Sequence, residues 1–117
     1  MSYKLDGNTI YLTRGDSLFL QVSMTRNGEQ YTPVAGDSIR FALKRNVLNP
    51  NQSDFVDTTP IILKSIPYDT LMLQLDPSDT SALPFGTYVY DIEITFSDGR
   101  VDTFITDSKF IITREVH

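Results

Sequence analysis

The 117-residue sequence predicts an all-β fold in which two antiparallel sheets, about seven strands in total, pack as a sandwich. Three observations support this. Apolar residues recur at every second position in short stretches. Gly, Pro, Asn or Asp bound those stretches at roughly ten-residue spacing. Helical periodicity is nearly absent. Residues 1–117 are read as a single domain, a length that buries enough core to be stable without staples.

The elements follow in chain order. Asp6-Gly7 closes a small hairpin between Tyr3–Leu5 and Thr9–Leu12. Leu18, Leu20, Val22 and Met24 share one side of a strand that stops at Asn27-Gly28, a pair that tolerates positive φ. Ile39, Phe41 and Leu43 repeat the pattern after the Ala35-Gly36-Asp37 turn. The segment Asn46 to Thr59 is polar and longer than most connections, and is expected to be a mobile or specialised loop. Leu71, Leu73 and Leu75 alternate again. A single helical turn near residues 77–82 follows, with Asp76 as N-cap, Pro77 at the first helical position, Asp79 at the positive dipole end and Pro84 as the stop. Tyr88, Tyr90, Ile92, Ile94 and Phe96 give the clearest strand, and Ser97-Asp98-Gly99 turns it into the last one. Thr106-Asp107-Ser108 interrupts that final strand as a bulge before Phe110 and Ile112 resume the inward face. Alternation of this kind indicates half-wet antiparallel strands, because parallel strands covered by helices read as continuous apolar runs.

Within Leu83-Pro84-Phe85-Gly86-Thr87-Tyr88-Val89-Tyr90, Tyr88 stands at a strand entry just after a glycine, the position of a tyrosine corner. Tyr90 occupies the place where an antibody domain carries its second cysteine. These residues refine the expected fold to an immunoglobulin-like β-sandwich.

Composition removes several functions. There is no cysteine, hence no disulfide and no thiolate metal site. The single histidine is His117, the last residue, so a triad enzyme is not expected. The net charge is -5 and the ten basic residues are scattered, so no nucleic-acid partner is expected. No apolar run has the length of a signal peptide or a membrane span. The expected product is made in the bacterial cytoplasm, needs no cofactor and holds no metal.

The motifs that suggest chemistry have plainer readings. Arg14-Gly15-Asp16 matches an integrin-adhesion tripeptide, but it directly precedes a strand, where Gly15 supplies a turn. Asp76 and Asp79 are read as helix-end residues, and the loose clusters Asp76/Asp79 and Asp91/Glu93 as solvated surface or as partners of a cross-strand Arg or Lys. Most aromatics fall on inward positions. Phe19, Met72, Val89 and Ile111 lie opposite the inward residues of their strands and form the candidate interface patch. Tyr31, Phe55 and Tyr68 are the candidate loop contacts for an alternative carbohydrate-binding function.

The run Arg14-Gly15-Asp16-Ser17-Leu18-Phe19-Leu20, then Gly36 to Lys44, then Asp79 to Ile92, then Ser97-Asp98-Gly99-Arg100-Val101 resembles small phage and prophage tail domains. The likeness is to the immunoglobulin-like N-terminal domain of baseplate upper proteins, and it extends from about Thr13 to Thr113. It implies a non-enzymatic structural or assembly module of a virion tail, bound to other tail subunits or to a second copy of itself. The alternative is a carbohydrate-binding sandwich that recognises host cell-wall polysaccharide.

Overall fold

The computed structural model describes residues 3–26, 28–47 and 55–114; Asn27, the 48–54 centre of the 46–59 connection and His117 lie outside the described residues. Within the described residues the chain is nearly all β. β1 (Tyr3–Asp6) and β2 (Thr9–Thr13) form the expected hairpin, with Gly7 at φ 59° in its turn. β3 (Leu18–Gln21), β4 (Thr25–Arg26), β5 (Glu29–Gln30), β6 (Ser38–Val47), β7 (Phe55–Ile66) and β8 (Met72–Leu75) follow. The helical turn α1 (Pro77–Thr80) is shorter than predicted, and β9 (Gly86–Thr95) and β10 (Val101–Thr113) complete the order.

Two unequal layers result. One sheet has six strands in the order β1-β2-β10-β9-β6-β7, and β3-β8 is a two-stranded sheet facing it, with β4-β5 as a two-residue ladder. The adjacency β10-β9-β6-β7 is that of the G, F, C and C′ strands of a variable-type immunoglobulin sheet, and β3-β8 takes the place of strands B and E. The sandwich is therefore shown, with ten described strands rather than about seven. The three strands beyond those read from the sequence are β7 and the dipeptides β4 and β5.

Three expectations need correction. The sheets are not wholly antiparallel: β2 runs parallel to β10, with Ile10 opposite Phe110 and Leu12 opposite Ile112. Alternation reports only that one face is wet, and a parallel pair at such a face alternates just as an antiparallel one does. The 46–59 connection is also shorter than read, because both of its ends are strand: Asn46 pairs with Val56 and Val47 with Phe55. Leu71 is no strand residue either. It sits at φ 52°, the left-handed region, with its N–H donated to the Pro67 carbonyl and its own carbonyl accepting from Val22. The expected bulge in β10 is present, where Ile105 and Ser108 oppose Ile92 and Tyr90, and a second lies between Thr103 and Ile105.

The predicted inward stripes meet in one core. Ile10, Leu12, Ile39, Phe41, Leu43, Ile92, Ile94, Phe110 and Ile112 of the large sheet pack against Leu18, Leu73 and Leu75 of the small one. Phe41, Tyr90 and Phe110 cluster at the centre, with ring centroids 5.5 Å apart for Phe41–Tyr90 and 6.1 Å for Phe41–Phe110. Aromatic packing fills the space that a tryptophan and a disulfide occupy in antibody domains. The Tyr88 hydroxyl donates to the Pro84 carbonyl at 2.7 Å, four residues upstream, and so ties the entry of β9 to the segment that leaves α1. Tyr88→Phe removes that single bond; urea unfolding should show a loss of about 1 kcal/mol with the denaturant slope unchanged.

Candidate functional site

The four residues proposed as one patch do not meet. Phe19 and Met72 share the outer face of the two-stranded sheet, diagonal across the Phe19–Gln74 pair. Val89 and Ile111 share the outer face of the six-stranded sheet, on the opposite side of the molecule. Phe19 is 48% exposed, Met72 and Ile111 are half-buried, and Val89 is only 5% exposed. Val89 is buried on a face that alternation marks as wet because Lys44 and Lys109 flank it in register, where long apolar stems cover a small side chain.

The loop aromatics do not form a platform. Tyr31 is not a free exposed ring: its hydroxyl donates to Asp37 Oδ2 at 2.6 Å and its ring stands nearly perpendicular to that of Phe96, centroids 5.7 Å apart. Asp37 accepts the Val34 N–H with the same oxygen, which locks the turn around Gly36. Tyr68 is 41% exposed beyond the end of β7. Phe55 begins β7, about 30 Å or more away at the usual rise per residue, and its side chain lies outside the described residues.

The acidic candidates are engaged in structure. Asp91 pairs with Lys44, and Glu93 with Arg40, across β9 and β6. Asp79 accepts the Asp76 N–H at 2.7 Å, closing the first turn of α1, and meets Lys64 of β7 at 3.0 Å. Asp98 accepts the Arg100 N–H and guanidinium in the β9-β10 turn, which holds its carboxyl below the usual carboxylate range. Arg14-Gly15-Asp16 is packed rather than displayed. The Arg14 guanidinium lies 4.2 Å from the Phe85 ring centroid, and the Gly15 N–H donates to Thr80 Oγ1 at 3.0 Å. Thr80 is fully buried, and nothing in its sequence setting marked it.

Two concave surfaces among the described residues are roomy enough to take a side chain. A groove of about 220 Å³ on the outer face of the large sheet has Ala42, Pro60 and Leu63 between the Arg40–Glu93 and Lys44–Asp91 pairs. A crevice of about 190 Å³ opens between β3 and the β2/β10 side of the large sheet, lined by Leu20, Val22, Ile10, Tyr90, Ile92 and Ile105 together with polar but uncharged neighbours. The Tyr90 hydroxyl, at the crevice wall, donates to the Asn8 carbonyl.

Sheet edges complete the picture. β7, an edge of the large sheet, carries Pro60, register shifts either side of Lys44, and Lys64 tied to α1, devices that discourage strand addition. β1, the other edge, contains Lys4 and Asp6. β8 lies close to β7. β3 has no strand beyond it among the described residues, and Leu18-Phe19-Leu20-Gln21-Val22-Ser23 contains no charge and no proline. Single-sequence alternation located the buried face of β3 but could not indicate that its edge is open, since pairing is a property of the assembled sheet. No protein-family model, curated protein or solved structure matches this chain.

Burial pushes the Tyr90 phenol from 10.0 up to about 12. The folded protein therefore keeps a proton that the unfolded chain releases, so stability is full below about pH 10 and falls as pH rises toward 12. Alkaline denaturation should show a decline on the order of 2 kcal/mol across that window. Tyr90→Phe should leave only the shallower decline of Tyr88, whose phenol burial also raises against the opposing charge of Arg45.

Proposed function

We propose that this chain is a non-enzymatic assembly module that holds neighbouring protein subunits through a sheet edge, in the setting of a phage or prophage tail or baseplate. The observation that carries this reading is the inequality of the layers. Six strands face two, and the β3 edge is left without the protection given to β7. An uncharged edge with no strand beside it among the described residues favours strand addition, and a protein partner supplies it.

The remaining surface supports the same reading. Asp79, Asp91 and Glu93 each hold a cation of this chain, and Asp98 closes a turn. The tail setting rests on the resemblance of residues 14–20, 36–44, 79–92 and 97–101, because a sandwich by itself hosts many functions. The carbohydrate alternative loses support with Tyr31 bonded inward and Phe55 and Tyr68 at opposite ends of β7.

Co-expression with the products of the genes flanking its own should yield a complex of fixed stoichiometry that survives gel filtration with light scattering. A strict monomer at high concentration, with no flanking product co-migrating, overturns the proposal. A defined glycan-array hit lost on Tyr68→Ala would transfer the function to the carbohydrate class.

A further inference from the structure

The crevice beside β3 has a shape and polarity that define what enters it. Val22 donates its N–H to the Leu71 carbonyl at 2.8 Å, on the β8 side. In an extended chain successive backbone groups alternate direction, so Gln21 and Ser23 aim theirs away from β8, toward the open side. Both residues line the crevice mouth, and behind them the walls are Leu20, Val22 and Ile105. Backbone donors and acceptors in a row beside an uncharged apolar slot are complementary to one kind of ligand, an extended strand with apolar side chains at every second position. Among the described residues no charged side chain lines the slot, while the whole chain carries a net charge of -5, which favours a strand with an apolar centre and basic flanks.

We propose that the β3 edge and its crevice accept an extended strand from a partner protein, hydrogen-bonded to the Gln21 and Ser23 backbone and seating an apolar side chain against Leu20, Val22 and Ile105. This rests on the assembly reading above and names the edge and the partner chemistry. The added strand completes the two-stranded layer as a third strand, on the side of β3 where no described strand lies. The outer-face groove near Leu63 is a poorer acceptor, because the β7 edge next to it is guarded and its walls are closed ion pairs.

The test uses the full chain and a synthetic peptide alternating valine and threonine between terminal lysines, followed by NMR titration and amide hydrogen exchange. Slowed exchange at Gln21 and Ser23 with methyl shifts at Leu20 and Ile105 is the expected result. Gln21→Pro, which deletes the outward N–H on an edge position, should weaken binding about tenfold while the thermal transition is retained. Ile105→Lys provides a second variant that charges the slot without altering β3, and it too should weaken binding about tenfold or more. Protection along β7 instead would keep the assembly reading and overturn the β3 assignment. Self-association that protects the same amides would make a second copy the occupant and overturn the partner assignment. No response at any edge, from a chain that stays monomeric with its flanking gene products, would overturn both.

Discussion

Phe41, Tyr90 and Phe110 lie where β6, β9 and β10 run side by side, and their rings fill the centre of the space between the layers. Everything else is arranged around that contact. With no cysteine in the chain, no disulfide joins the two sheets, and the widest side chains sit where the separation must be spanned. The Tyr90 hydroxyl cannot be left unsatisfied in such a place, and the Asn8 carbonyl in the β1-β2 turn accepts its proton. The core thereby also fixes the N-terminal hairpin, a link across 82 positions of sequence.

A core placed this way accounts for the unequal layers. The large sheet supplies most of the buried surface, and four-residue strands are enough to cover its middle. What they leave uncovered at the sides is closed by connections: α1 brings Thr80 against Gly15 and Asp79 against Lys64, and the 31–37 segment brings Tyr31 against Phe96. Among the described residues the closure stops short beside β3, and there the molecule keeps both a backbone edge and a slot.

Charge follows the same logic. Acidic side chains exceed basic ones, yet Asp79, Asp91 and Glu93 are matched with cations of the same chain. These contacts align β6 with β9 and β7 with α1.

The sequence by itself determined the inward stripes, the turns at Gly7, Gly36 and Gly99, the helical turn after Asp76, the bulge near Ser108 and the bond-forming position of Tyr88. Each is a local matter of side-chain period, backbone φ or capping, and one chain segment contains all the information needed. Only the tertiary structure decided that β2 runs parallel to β10, that Val89 is buried beneath two lysine stems, and that Phe19 with Met72 and Val89 with Ile111 face opposite ways. It also decided which edge is left open. The physical reason is that period two specifies a side of a strand but not its neighbour, and neighbours are chosen by contacts between segments tens of residues apart.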